Sequence, residues 1–435
     1  MNNTLTNSTP IYKILPDCDN DTDSMSVSSY EEIISPDDKT DLLEMANELI
    51  ILLIDENPLI FMEPDYQENI SEKVYDVIYN QISSLYKENI ENEINDIIIN
   101  AFKIIHKYIY PKRSFLKTFI RKLPRINKLY EKITYLKNKY QPEQKTHEWY
   151  LFRYEHLTAS NIWKAFMSQA NINQLIYEKC KPFNADKYNN SLTDGPLHWG
   201  VKYENLSIMF YEKHYSTTIT DFGCILHDNY TFLAASPDGI NTNILSPRYG
   251  RMLEIKNIVN RDITGIPKLE HWVQMQIQME VCNLNECDFL ETRFIEYDSE
   301  EAYLLDGSNG RTSSNDLKGH IICFIKDNKP YYEYEPLELS LYESLEWKKA
   351  IMEKNIELEW FKNIYWKLDE FSCILVLRNK HWFKNAIPIL QSIWNTIQIE
   401  KISGFQHRAP KIREKKCNST ENEILLNGNC YIDIE

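Results

Sequence analysis

The sequence predicts an α/β core, with a mixed central sheet flanked by helices, set between helical N- and C-terminal additions. Three observations predict it. Apolar residues recur at three- and four-residue spacing from Asp41 to about Lys139. From Trp149, short strand-like runs bounded by turn residues interleave with helical stretches. From Leu341 to about Ser403 helical spacing returns, with many aromatics. The chain therefore divides into a disordered acidic tail (1–40), a helical region (41–145) with a basic segment at 101–140, the core (146–340), a helical C-terminal region (341–408) and a polar tail (409–435).

Residues 1–40, including DCDNDTDSMSVSSYEEIISPDDKT, hold too few apolar groups to offset the entropy of ordering them. Helices are expected at DLLEMANELIILLIDE, ISEKVYDVIYNQISSLYKENI and ENEINDIIINAFKIIHKYIY, after which Pro111 and Pro124 punctuate the chain. The stretch YPKRSFLKTFIRKLPRINKLYEKITYLKNKY interleaves cations with Phe, Tyr and Ile. It suits either a surface that tracks a phosphate backbone or the solvated face of amphipathic helices, and both stay open. TASNIWKAF (158–166) looks like a helix start, with Thr158 or Ser160 as N-cap. LHWGVKYENLSIMFYEKHY is a helix; ITDFGCILHD, YTFLAASPDGI and GRMLEIKNIV are strands. The helix KLEHWVQMQIQMEVCNL and the strands DFLETRFIEY and GHIICFIKDNKPYYEYE follow. WKKAIMEKNIELEWFKNIYW has aromatics at helical spacing and reads as the core face of a helix.

A chain of 435 residues, 43% hydrophobic and 26% charged, has the balance of a globular protein with ample length for a buried core. Its net charge of −16 argues against a nucleic-acid partner only as an average. Residues 1–100 hold 22 Asp/Glu against 4 Lys/Arg, whereas residues 101–140 hold 12 Lys/Arg and the single acid Glu131. A phosphate senses the local field. The longest purely apolar run, Leu49 to Ile54, is far too short to span a bilayer, and MNNTLTNSTP lacks the basic and apolar regions of a secretory signal. The nine Cys include no C-x-x-C pair, so reduced intracellular thiols are expected. There is no P-loop, no G-x-G-x-x-G and no G-x-S-x-G. His147, His198, His227 and His271 fall at no metal-ligand spacing and read as packing or surface histidines.

The chemistry concentrates in SPDGI (236–240) and LEIKN (253–257). Ser-Pro-Asp-Gly is a turn that projects Asp238 from a strand end. In the strand after the hairpin loop, Glu254 and Lys256 share one face and Leu253 and Ile255 the other. A pairing that sets Asp238 beside Glu254 brings two carboxylates and an ammonium to one point. Carboxylates hold Mg²⁺ or Mn²⁺, and a cation offsets charge on a phosphoryl transition state. Alone, a P-D-x(n)-E-x-K match is short and common by chance.

Four blocks in order make it specific: WYLFRYEHLTAS (149–160), HWGVKYEN (198–205), AASPDGI with LEIKN, and HWVQMQIQME (271–280). Through them Trp149–Tyr297 resembles the lambda-exonuclease/YqaJ family of viral recombination nucleases, a branch of the PD-(D/E)XK superfamily. The resemblance implies a PD-(D/E)XK core and metal-dependent hydrolysis of phosphodiester bonds, as a 5′-to-3′ double-strand DNA exonuclease in recombination and repair. It implies Asp238 and Glu254 as metal carboxylates, with the carbonyl of Ile255 and with Glu204 from the preceding helix. Lys256 positions or deprotonates the attacking water, and Gln274 hydrogen-bonds near it. Gln276 points elsewhere, as solvent-facing or helix-packing. Arg153 binds a 5′-terminal phosphate with Ser160 assisting from a helix N-terminus; Glu155, beside that Arg, departs from the simplest members and puts strict 5′-phosphate dependence in doubt. The implied partners are ends of double-stranded DNA and a single-strand annealing protein, with homo-oligomeric rings frequent in the family, no membrane, and an infected-cell replication compartment if the source is viral. Two alternatives carry over: an endonuclease or RNA-acting nuclease of the same superfamily, and a non-catalytic nucleic-acid-binding module.

Overall fold

A computed structural model describes residues 33–86, 89–122, 125–184, 196–327 and 329–410; most of the expected acidic tail and nearly all of the polar tail lie outside the described residues. Helix α1 (Pro36–Glu56) starts inside the stretch expected to be tail, because Pro36 occupies its first position and Ser35 Oγ accepts the Asp38 N–H at 3.2 Å. Its buried stripe is Leu42, Ala46, Ile50 and Ile54. α2 (Tyr66–Ile82) buries Ile70, Val74, Ile78 and Ile82, and α3 (Glu91–Tyr108) buries Ile94, Ile98, Ala101 and Ile105. The three helices pack on one another, and their core runs without a break into that of the α/β part.

Helices α4 (Ile126–Asn138), α5 (His147–Glu155), α6 (Gln169–Cys180) and α7 (Pro196–His214) precede the main strands. β1 (Leu157–Thr158), β4 (Leu233–Ala235) and β3 (Ile225–Leu226) make a small sheet in that order. The main sheet has the order β2 (Ile219–Thr220), β5 (Gly239–Asn241), β6 (Met252–Asn257), β7 (Glu286–Glu296), β10 (Glu359–Leu377), β8 (Lys318–Lys326) and β9 (Lys329–Tyr334). β6 and β7 run parallel and are joined by α8 (Leu269–Val281), the crossover that a parallel pair requires; every other pairing in the main sheet is antiparallel. α8 covers one face. α7 covers the other, against Leu253, Ile255, Leu290 and Phe294. α9 (Glu300–Leu305), α10 (Leu341–Lys354) and α11 (Lys380–Ser403) complete the described helices.

Two expectations are corrected. The C-terminal region is helical at its two ends, Leu341–Lys354 and Lys380–Ser403, but its middle is β10, a 19-residue strand between β7 and β8. Trp366 and Leu368 are buried, and so are the consecutive residues Cys373, Ile374, Leu375 and Val376. A strand covered on both faces shows no period-two alternation, and long-range pairing overrode the helical spacing upstream. In TASNIWKAF, Thr158 lies in β1 rather than at a helix N-cap, and the helix is a five-residue 3₁₀ segment, Ile162–Phe166.

Beyond the end of β8, the edge of β10 is covered by the segment before α4. Phe115 N–H donates to Leu375 O at 3.0 Å and Thr118 N–H to Cys373 O at 2.9 Å. That segment is fixed from below by Asp288 of β7, whose carboxylate accepts from Thr118 Oγ1 (2.6 Å), Tyr211 Oη (2.6 Å), Arg248 (2.6 Å) and Arg251 (3.2 Å). The six described cysteines are free thiols, all buried. Among the described residues no helix is long and apolar enough to cross a membrane.

Candidate active site

The turn between β4 and β5 carries Asp238. A side chain at Gly239 would meet Ile219 Cγ2 of the neighbouring strand at 2.1 Å, so the Ile219 side chain fills the space that a Cβ would need. Gly239 pairs with Leu253, and Asp238 Oδ2 accepts the Ile255 N–H at 2.6 Å. The proline-fixed turn and this bond hold the carboxylate against β6. Leu253 and Ile255 enter the apolar layer under α7, while Glu254 faces α8 and is fully buried. Its two oxygens are engaged separately: Oε1 by the ammonium of Lys256, Oε2 by Gln278 Nε2 at 2.7 Å.

The charges here are not balanced. The Asp238 carboxyl is held well above the ordinary carboxylate range by burial first and then by the charges of Glu254 and Glu204, which Lys256 and the Ile255 N–H offset only in part. Burial alone would lower the pKa of Lys256; the carboxylates of Glu254 and Asp238 reverse this and raise it. Glu204 approaches from α7, half-buried, 3.4 Å from Lys145 Nζ. Lys145 has φ of 66°, a conformation that costs a non-glycine residue about 1 kcal/mol. Asn257 clamps α7 on either side of Glu204: its amide donates to Gly200 O (3.1 Å), and its Oδ1 accepts from Ser207 (2.7 Å) and Thr292 (2.8 Å). Among the described residues, no three His, Cys, Asp or Glu side chains form a group that could hold a metal ion. Glu204 therefore stands within electrostatic reach of the Asp238–Glu254 pair, not in a tight three-acid cluster with it.

The glutamines divide differently from expectation. Gln274 is half-buried, in the middle of α8. Gln278, one turn on and on the same face, touches Glu254 and also donates to Ser236 O at 3.3 Å, tying both acid-bearing segments together. Gln276 packs inside, bonded to Leu377 O at 2.9 Å and Asn379 N at 2.7 Å. His271 contacts Phe289 and is neutral, its pKa pushed down to about 3 by burial and then by the nearby cations Lys256, Arg261 and Lys268. His198 bonds Tyr332, and His227 Nδ1 accepts the Asn229 N–H, as packing histidines do.

Arg153 and Ser160 do meet, at 3.0 Å, and the guanidinium lies 4.2 Å over the Trp149 ring. The Trp149 indole donates to Ser236 Oγ at 3.0 Å, two residues from Asp238. Ser160 precedes only the short 3₁₀ segment, so a helix dipole contributes little there. Beneath Arg153, buried Lys179 donates to the carbonyls of Arg153 and His156, both at 2.6 Å. Its pKa is pushed down to about 7 by burial first, then by Arg153 and Lys401. An unfolded lysine keeps its proton to about pH 10.4, so between about pH 7 and pH 10 the unfolded chain binds more protons and stability rises with pH. In Lys179→Met that contribution disappears. Denaturant unfolding of both proteins across this range should show the wild type gaining on the variant as pH rises, and a pH-independent difference would refute the assignment.

Residues 148–285 match the family model of the YqaJ-like viral recombinase domain, so the resemblance carried by the four blocks stands for that segment. An uncharacterized protein of Acanthamoeba polyphaga mimivirus is 28% identical over 375 residues, which cover 75% of this chain and 66% of that protein, just under two thirds of its length. Among solved structures, an alkaline exonuclease from Laribacter hongkongensis is 16% identical with a TM-score of 0.36, over 60% of this chain and 97% of that one. A phage-related exonuclease from Haemophilus somnus is 13% identical with a TM-score of 0.30, over 57% of this chain and 99% of that one.

Proposed function

From the YqaJ-like viral recombinase domain at residues 148–285, we propose that this protein is a metal-dependent DNA nuclease that degrades double-stranded DNA from its ends, 5′ to 3′, in recombination or repair. The observation that carries it is the convergence on β6: Asp238 bonded to the Ile255 N–H beside a fully buried Glu254 that is paired with Lys256. The donor set fits Mg²⁺ or Mn²⁺. It consists of hard oxygens, and the charges of Glu254 and Glu204, which after burial raise the Asp238 pKa, are what a divalent cation offsets. Asp238, Glu254 and the Ile255 carbonyl would hold the ion, with Glu204 at the margin. When bound it lowers the pKa of water and offsets charge at phosphorus.

The chain's own groups do the rest. Gln278 holds the second oxygen of Glu254, so that carboxylate cannot rotate. Lys256 presents an ammonium beside both acids, where it orients the attacking water and meets the developing phosphate charge. Arg153 and Ser160 offer one charged and one neutral donor to a terminal phosphate, set by Trp149 at the turn that bears Asp238.

The test is digestion of linear 5′-labelled duplex DNA with Mg²⁺ or with chelator, using Asp238→Asn as the blank. The expected result is metal-dependent release of labelled 5′ nucleotides by the wild type only. Cleavage of closed circles or of RNA would move the assignment to an endonuclease or an RNA-acting enzyme. No cleavage of any of these would end the enzymatic assignment in favour of a binding module.

A further inference from the structure

The segment before α4, together with α4 itself, lies outside the YqaJ-like domain and presents a strongly basic surface. Lys117, Lys122, Arg125, Lys128 and Lys137 are exposed, and none has an ion-pair partner among the described residues. The only acid between residues 101 and 140 is Glu131. Several cations elsewhere are neutralised: Arg248 and Arg251 by Asp288, Arg261 by Glu291, Arg378 by Glu280 and Arg408 by Glu400. Between the free cations stand exposed Leu116, Ile120, Ile126 and Tyr130, at 59%, 51%, 43% and 54% exposure. A groove of about 360 Å³ lies between α4 and the β5–β6 loop, lined among others by Tyr130, Lys137, Thr242 and Tyr249.

The surface is held rigidly to the site. The segment before α4 is bonded to the β10 edge and to Asp288. α4 rests on the β5–β6 loop, where a side chain at Gly250 would meet Leu129 at 2.6 Å. Lys132 Nζ donates to Asn283 O at 2.8 Å, just past the end of α8, and Tyr135 Oη to Asp228 at 2.7 Å. From Gly250 to Glu254 along β6 is four residues, about 13 Å of strand. At about 3.4 Å per nucleotide that is roughly four nucleotides from the scissile position.

We propose that this face is a second DNA-binding site, which grips the phosphate backbone of the duplex a few nucleotides from the point of cleavage. The proposal rests on the nuclease assignment only in taking DNA as the polyanion. A chain with net charge −16 repels DNA on average, so capture requires a local field of the opposite sign, and unopposed cations at this face supply it within a Debye length. Tyr and Ile side chains interleaved with cations fit sugar and base surfaces. A folded protein partner would instead call for a centre depleted of charge, which five exposed cations do not supply.

The experiment measures binding by the full chain made cleavage-deficient with Asp238→Asn. The probe is a duplex of about 30 base pairs, titrated from about 50 to about 200 mM salt. In that background Lys117, Lys122, Arg125, Lys128 and Lys137 are changed together to Gln. All five are solvent-exposed, and an unchanged thermal midpoint confirms the fold. Each phosphate left without its cation lowers the slope of log K against log salt by about 0.9, so the slope falls by about 2 to 4.5 and affinity at about 100 mM salt drops at least about a hundredfold. Lys103→Gln with Lys107→Gln on α3 changes the net charge in the same direction elsewhere, and should leave slope and affinity nearly as they were. An unchanged slope in the five-site variant overturns the proposal, as does an equal loss per charge in the α3 control. Since binding is read without turnover, failure of the wild type to cleave would remove the nuclease assignment alone. Unchanged binding with active wild type would remove this one alone.

Discussion

Replacing Lys256 by alanine is expected to slow cleavage by about 10²–10³-fold, the range found when a single donor to a developing charge is removed. The ammonium pairs with Glu254 and stands beside Asp238, so nothing else on β6 can supply a cation at that point. Duplex binding should change far less than the rate, because the proposed α4 surface and Arg153 remain in place. Lys256→Arg should not restore the rate. The guanidinium is larger and planar and cannot sit as a point charge against a fully buried carboxylate that already accepts from Gln278. Single-turnover rates on labelled duplex, with anisotropy for affinity, separate the two effects. A variant within about tenfold of wild type would show that the charge is not used in the transition state.

The largest loss of stability should come from Asp288→Ala, at about 3–5 kcal/mol. Asp288 is wholly buried and is the shared acceptor of two guanidiniums and two hydroxyls. Arg251 keeps Glu286, at 2.6 Å, but Arg248 loses its one carboxylate among the described residues and is left a buried cation above the Tyr215 ring. Leaving a charge inside without its counter-ion is costly, whatever the intact pair contributed on net. Equilibrium unfolding in urea measures it directly, and a loss below about 1 kcal/mol would mean that water or rearrangement satisfies the arginines. Asp288→Asn should fall between, retaining one acceptor oxygen but no charge.

How much of this was legible in the sequence differs by element. The Asp238–Glu254–Lys256 arrangement depends on a turn signature and strand alternation, both local, and the structure assembles it as the alternation requires. Arg153 and Ser160 were legible as a block, and they touch. Gln274 and Gln278 could not be told apart because residues four apart share a helix face. Which one meets Glu254 depends on how far α8 slides along the sheet, a tertiary quantity. Lys145 carries no motif, and its place beside Glu204 arises from a turn with positive φ. The helices of the first hundred residues show their apolar stripes plainly. β10 does not, since its buried residues fall in consecutive runs, Ile364 to Trp366 and Cys373 to Val376, without the alternation of a half-buried strand.

That strand also sets the order of events as the chain is made. β7 and β8 are complete by residue 326, yet the strand that joins them ends at residue 377. At about 5–20 residues per second, the ribosome leaves both edges unpaired for several seconds after they emerge. A fragment cut at residue 340, where the catalytic motifs invite a boundary, would keep them unpaired for good. Every described residue of the candidate site would be present in it, but on a sheet split in two, with open edges that recruit other chains.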